Sequence, residues 1–474
     1  MVSDNIMKLG VRYKLGIIII IALIVRLFRI TEMIDWTGAK MGILARNYLY
    51  YGYIETKFGA VRNVIDGSFV YYANHPPTPA IVLSFLYRIF GIHECVNRGF
   101  TITLGLLSII LLFLIVKKIW DEDTAIYASF IAALLPITAV FDREGGWAIV
   151  LFFVCLTVYS YLRWSMDNNK RYFLVLIIAT IFGGMMDWIF YPIIGCLTLY
   201  HLIIYKNKKI EFFVSPLVAL LIFIGMMFYL QSLHSPESLQ HAGTKWIDFS
   251  IYTNWHFYSK MIRDAILQFT SVIILLSLIY LWNLASNWRK VPKEKSLLIL
   301  ILFIYGLFLV VALPKGALVH RCYLYLAAPA MIISSALGLK SLPKNVYAPI
   351  LVVFIILSGY SFIELHNADR YDDYNFQLAN LGKYINSKTS ADDTILISTE
   401  RAVFFDFYAD RPSIATVNRS EFNILLEKRP DYVIISTREF DVSEDSINLS
   451  EEYELIGDAK IPGVFKVWKL KSKK

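Results

Sequence analysis

Ala45-Arg46-Asn47-Tyr48-Leu49-Tyr50-Tyr51-Gly52 and Tyr71-Tyr72-Ala73-Asn74-His75-Pro76-Pro77 stand in one long polar segment, between an apolar run at residues 15–30 and the next near 100–120. The same segment holds Asp35-Trp36, His93-Glu94 and Arg98. The runs on either side are long and apolar enough to cross a bilayer as helices, which makes the segment a loop of a membrane protein. Loops of this length are uncommon unless they serve binding or catalysis.

Composition agrees. The 474 residues are 57% hydrophobic and only 18% charged, with a mean hydropathy of +0.54. Such a balance excludes an ordinary soluble domain. The net charge of +8 would suit nucleic acid or anionic lipid. The basic residues, however, sit mainly in short connections between apolar runs, where they set orientation, so nucleic acid is not expected as a partner. Cys95, Cys155, Cys196 and Cys322 show neither metal spacing nor a disulfide framework, although a Cys95–Cys322 bridge is open if both face an oxidising compartment. The first run follows Lys8, Arg12 and Lys14, lacks a small-x-small cleavage site and continues into Arg26 and Arg29. It reads as an uncleaved signal anchor, with both arginines snorkelling to the interface.

Apolar segments recur at 15–30, 99–119, 123–141, 146–164, 171–187, 188–205, 211–232, 263–286, 296–313, 321–340 and 346–364, giving about eleven spans. Alternate connections are basic: Lys117-Lys118, Arg163 with Lys170-Arg171, Lys206 with Lys208-Lys209, Arg289-Lys290 with Lys293 and Lys295, and Lys340 with Lys344. The positive-inside rule puts these in the cytoplasm with the N-terminus. The opposite set then lies outside: the first loop (31–98), Asp142-Arg143-Glu144, Asp187-Trp188, the stretch 231–260, and Lys315 with His320-Arg321. His75, His93, His234, His241, His256, His320 and His366 fall on that outer side, and only His201 approaches the inner one.

Residues 1–364 thus form a transmembrane part, and 365–474 a small outer α/β domain. Helices are expected at 377–386 and 420–426, the latter with Ser420 as N-cap. Strands are expected at 394–398, 431–436 and 464–470, with a mixed segment 401–408 leading to a turn at 409–412. Asn418-Arg419-Ser420 and Asn448-Leu449-Ser450 are glycosylation sequons, which suit an outer domain.

Asp35 follows the first run by a few residues and belongs at the outer membrane surface. Its carboxylate reads either as a general base or as the cap of the helix expected at 38–50. Within that helix Met41, Leu44, Tyr48 and Tyr51 share a face, with Lys40 and Arg46 elsewhere, a pattern for lying in the interface. A second short helix, 79–90, begins after His75-Pro76-Pro77.

An acid after the first span, the ARN…G helix, His-Pro-Pro before a second helix and an arginine opening the next span resemble the polyprenyl-phosphate-dependent GT-C glycosyltransferases. The branch resembled is that of protein O-mannosyltransferases and lipid A aminoarabinose transferases, over residues 15 to about 345 and, in layout, the outer domain. The resemblance implies Asp35 as catalytic base, with Trp36 where the family often has a second acid. It implies Asp142 as the second outer acid of the catalytic site, helping to hold the acceptor or the sugar, and His320-Arg321-Cys322-Tyr323 as the late outer motif. The implied donor is a polyprenyl- or dolichyl-phosphate sugar, hexosyl or pentosyl, and the acceptor a protein, lipid or glycan hydroxyl on the extracytoplasmic face. Such transfer needs a base and cations for the departing phosphate. Arg321 is the foremost phosphate candidate, followed by Lys315, His75, Arg98, His320 and Tyr323. One displacement would invert the anomeric centre. No particular cofactor is implied; a divalent metal is left open by His93-Glu94, His234, His241 and His256 on the outer side, although no pair of them has ligand spacing. Two alternatives remain: an oligosaccharyltransferase, disfavoured by the missing Trp-Trp-Asp-Tyr-Gly string, and a lipid-linked glycan transporter, which leaves the long loop without a purpose.

Overall fold

The computed structural model describes residues 2–65, 67–72, 74–143, 145–205, 210–234, 244, 246–368, 373–390, 393–439, 449, 451–458 and 462–471. The chain divides into two compact units. One comprises Met1–Thr31, Ala73–Pro79 and Cys95–Asn367; the other comprises Glu32–Tyr72, Ala80–Glu94 and Ala368–Lys474.

The first unit is helical. Among the described residues, eight helices are long and apolar enough to cross a membrane: Glu94–Ile119, Trp147–Asp167, Trp188–Tyr205, Ile210–Leu233, Trp255–Ser286, Lys293–Ala312, Arg321–Lys340 and Lys344–Asn367. The other three expected spans are helical too, as Val2–Leu27, Lys170–Met186, and Glu122–Leu134 continued by Pro136–Phe141. The last is broken because Pro136 pushes Leu135 out of the helical region, to φ −62° and ψ 125°. This is an integral membrane protein. Small residues let the interior close: Ala125, Ala128 and Ala132 are buried on Glu122–Leu134, which packs on Val2–Leu27 and on Ala328–Lys340. At one end, ion pairs Lys118–Asp167 and Lys340–Asp121 join three of the connections that the charge pattern put on a common side. None of the four cysteines forms a disulfide, so the 95–322 bridge is not made; the Cys95 thiol instead points at the Ile30 carbonyl, 3.9 Å away.

The second unit combines the first loop with the C-terminal part, a grouping that the linear boundary at 364/365 does not capture. A five-stranded sheet has the order Ile414–Ala415 (β4), Ile395–Ser398 (β3), Tyr432–Ser436 (β5), Phe465–Leu470 (β7), Tyr453–Leu455 (β6). β3 is parallel to β4 and β5, while β7 runs antiparallel to β5 and β6. β3 and β5 are buried along their whole lengths, as their unbroken apolar runs require. A separate hairpin pairs Val61–Ile65 (β1) with Ser68–Tyr71 (β2). Helices Trp36–Tyr51, Thr78–Phe90, Asp373–Lys388, Ala402–Tyr408 and Arg419–Leu426 complete the unit. One core holds Ile34, Ala39 and Ile43 of the loop together with Leu378, Phe405 and Ile434.

Two expectations are corrected here. The N-cap of Arg419–Leu426 is Asn418, whose side chain accepts from Glu421 N, rather than Ser420. Arg46, expected off the buried face of its helix, is completely enclosed. The short strands β4 and β6 and the hairpin were not anticipated, being too brief to show a period. The sequon at Asn448 and the histidine at 241 lie outside the described residues.

Candidate active site

In the second unit Asp35 closes the N-terminus of Trp36–Tyr51. Its carboxylate accepts from Thr37 N at 2.9 Å and from Gly38 N at 3.3 Å, satisfying two of the helix's orphan donors. Gly38 is required, since a Cβ there would lie 2.7 Å from Asp35 Oδ1. Asp35 is 6% exposed. Capping and access to a substrate are compatible, because each carboxylate oxygen has more than one lone pair.

In the first unit the expected residues fall into three clusters. The deepest joins Arg26, Asp142 and Tyr325. Arg26 Nε donates to Asp142 Oδ2 at 2.7 Å, and its Nη1 to the carbonyls of Ala22 and Ala133 at 3.1 and 3.0 Å. The Tyr325 hydroxyl donates to Asp142 Oδ1. Gly105 makes room, as a Cβ there would lie 2.5 Å from the Asp142 carboxyl carbon. Arg26 therefore does not snorkel, and Asp142 is not a solvated turn residue: both are buried and paired. Charge matching explains this, since neither could be buried alone. Nearby, Arg98 Nη1 donates to the Ile30 carbonyl at 2.5 Å and Arg143 Nη2 to the Arg29 carbonyl at 3.3 Å. Both guanidiniums thus meet carbonyls just past the C-terminal end of the first helix, where cations are favoured. Glu144 lies outside the described residues.

The second cluster centres on Arg321, which opens the 3-10 segment Arg321–Ala327. Its Nε lies 3.8 Å from Asp264 Oδ1. Asp264 is buried, pairs with Lys260 one turn earlier, and has Arg263 at 4.0 Å. Gln268 donates to the Arg321 carbonyl at 3.0 Å, just before the helix breaks at Thr270, where φ is 62°. Three cations against one carboxylate leave the cluster positive. Among the described residues, Arg321 Nη1 is buried with no hydrogen-bond partner. An unsatisfied buried donor costs about 1–3 kcal/mol, which an anion would return. Beside it, His320 stacks on Tyr323 with centroids 5.6 Å apart, and Trp147 meets the Tyr323 ring at 5.9 Å. The small residue Gly316 lets the Tyr323 ring approach, a Cβ there falling 2.6 Å from it. Lys315, on the short helix Pro314–Val319, is exposed.

In the third cluster His75 Nδ1 and Asp187 Oδ2 are 2.8 Å apart, and Trp188 Nε1 donates to the Asn74 carbonyl at 3.1 Å. Asp187 also caps the tight reversal by accepting from Ile189 N at 3.2 Å. A single acid thus ends one span, starts the next and holds His75. Lys260, Asp264 and Gln268 escaped the sequence reading, although Lys260-x-x-x-Asp264 has the spacing of a helical ion pair. Among the described residues no group of three or more His, Cys, Asp or Glu could hold a metal ion.

Fold and site together define a polytopic membrane protein whose ionisable residues cluster on segments between and at the ends of spans. Residues 74–229 match the family described as dolichyl-phosphate-mannose-protein mannosyltransferase. The fold is similar to that of ArnT from Cupriavidus metallidurans bound to undecaprenyl phosphate, with TM-score 0.68 and 13% identity over 96% of this chain and 97% of that one. It is also similar to the oligosaccharyltransferase AglB from Archaeoglobus fulgidus in complex with an inhibitory peptide and a dolichol-phosphate. That likeness has TM-score 0.61 and 11% identity over 98% of this chain and 74% of that one. An uncharacterized protein of Aquifex aeolicus (strain VF5) is 22% identical over 284 residues, covering 57% of this chain and 54% of that protein. The chain therefore spans about half the length of that curated relative. These likenesses show the fold, which is the GT-C fold that ArnT and AglB share.

Proposed function

We propose that this protein is an integral-membrane glycosyltransferase that moves a sugar from a polyprenyl- or dolichyl-phosphate donor to an acceptor hydroxyl on the extracytoplasmic face. The observation that carries this reading is the positive cluster at Arg321, with a buried guanidinium nitrogen awaiting an acceptor, in a fold shared with a protein solved with undecaprenyl phosphate. Arg321 and Lys260 meet the phosphate oxygens, with Lys315 and His75 adding charge and His320 and Tyr323 forming the wall. A phosphate whose charge is met leaves without strong acid catalysis. Asp35 takes the proton of the acceptor hydroxyl as that oxygen attacks the anomeric carbon, and the bond to phosphate breaks in the same displacement, inverting the centre. Asp142, with both oxygens engaged by Arg26 and Tyr325, acts by fixing the Tyr325 segment that follows Arg321. Arg98 holds the first helix by its carbonyls. The acceptor is a protein, lipid or glycan.

The test is transfer from a radiolabelled polyprenyl-phosphate sugar by the purified Asp35→Asn protein. Lost turnover with retained donor binding supports the assignment. Undiminished turnover removes Asp35 as base.

A further inference from the structure

The helix Trp36–Tyr51 is tied along its length to residues 404–413 of the same unit. Just before the helix, Ile34 N donates to the Tyr408 hydroxyl at 3.0 Å, and the Trp36 ring meets Phe404 edge-on at 5.8 Å. At mid-helix Gly42 lies against Phe407 so closely that a Cβ would fall 2.5 Å from its ring. One turn on, Arg46 Nη1 donates to the Asp406 carbonyl at 2.9 Å and lies 3.3 Å from Asp410 Oδ1. A further turn on, the Tyr50 hydroxyl is 2.8 and 2.7 Å from the two Asp410 carboxylate oxygens. Residues 42, 46 and 50 recur at the four-residue spacing of one helix face. Apolar packing alone would hold the helix to its neighbour but let it slide; directional bonds before, within and near the end of the helix fix its register and rotation.

We propose that segment 404–413 is the positioning element for Asp35, with Tyr408, Arg46, Tyr50 and Asp410 as positioning residues that set where the carboxylate sits. The proposal rests on Asp35 being the base. A helix is stiff, so a bond at Tyr50, roughly 22 Å along the axis from the cap, acts on the cap as on the end of a lever. Misplacement of a catalytic group by about 1 Å can cost on the order of a hundredfold in rate. The C-terminal domain is thereby part of the catalytic apparatus in addition to any contact with the acceptor. Asp410 has φ 55°, a conformation that asparagine also tolerates, so Asp410→Asn changes the charge without straining the backbone.

The experiment compares kcat, KM and donor affinity for the full-length purified protein and its Asp410→Asn, Tyr50→Phe, Tyr408→Phe, Asp35→Asn and Asp35→Asn/Asp410→Asn variants, with the folded fraction measured for each. The expected result is a kcat lowered tenfold or more in Asp410→Asn, with donor affinity within about twofold of the parent. The double variant should be no slower than Asp35→Asn, because a displaced base that is already absent has nothing further to lose. The two hydroxyl deletions should show the same kcat-specific loss to a smaller extent, and they carry the test if Asp410→Asn does not fold. Unchanged kcat in the folded variants, with Asp35→Asn inactive, overturns the positioning role alone. Full turnover by Asp35→Asn overturns the base and the proposal with it.

Discussion

Burial decides what a charged residue does here. Arg26 looked like an interfacial cation by position, yet its side chain is enclosed and shares Asp142 with Tyr325. Breaking a buried pair by removing one partner leaves an uncompensated charge, typically at a cost of about 3–5 kcal/mol. Arg26→Met should therefore destabilise the detergent-solubilised protein by that order, and Arg26→Met/Asp142→Leu should recover a large part, both measured by denaturant unfolding. A double variant no more stable than the single one would show that the pair does not act as a unit. At Arg321 the expectation concerns binding. Arg321→Lys keeps the charge but loses the forked donor, so affinity for polyprenyl phosphate in a competition assay should fall about tenfold or more.

Among the elements, the short helix Ala402–Tyr408 links loop and sheet in the second unit. Its Asp406 accepts at one oxygen from Ser413 N and Oγ, at 2.9 and 2.6 Å. The residue keeps some solvent contact, but its carboxyl is packed round by protein, and burial pushes it up to about 7 from the ordinary value, against the Ser413 hydrogen bond and the Arg46 charge. The folded state thus holds a proton that the unfolded chain releases near pH 4. Stability from this group is fully present below about pH 4 and is lost as pH rises through about 7, where the buried carboxylate must ionise. The difference in melting temperature between the parent and Asp406→Asn should accordingly change between pH 5 and pH 8, with the parent losing ground at the higher pH. A pH-independent difference would rule this out. On the same helix pair, Tyr50 is held up at about 12, first by burial and then by its bond to Asp410, so it remains a hydrogen-bond donor at any physiological pH.

For the whole molecule, the charge pattern predicts the sidedness. Lys118, Asp121, Asp167 and Lys340 meet at one end of the helical unit, as connections on a common side should. In a cysteine-free background, a cysteine at Lys315 should react with a membrane-impermeant maleimide in intact cells, whereas one at Lys293 or Lys344 should react only after permeabilisation. The reverse pattern would invert the orientation and place the proposed chemistry in the cytoplasm.

Much of this protein could be read from its residues in order. All eleven apolar runs are helices, and the strands at 395–398, 432–436 and 465–470 lie where alternation or continuous apolar character put them. These follow from local physics: helix length against bilayer thickness, proline and glycine as breaks, and apolar runs as buried strands. Asp35, Asp142, His75 and Arg321 could be picked out as candidates as well, through the resemblance to a known family rather than from their positions alone. What only the tertiary structure decided is which of them have partners. Asp142 meets an arginine 116 positions earlier, and His75 an aspartate 112 positions later. Asp264, unremarked in the sequence, orders the cations at 260 and 321. The grouping of the first loop with residues 368–474 likewise depends on Ile34, Ala39 and Ile43 sharing a core with Phe405 and Ile434. Periodicity reports the face on which a residue lies, but pairing depends on how helices distant in sequence are packed, and a single chain carries no local signal of that.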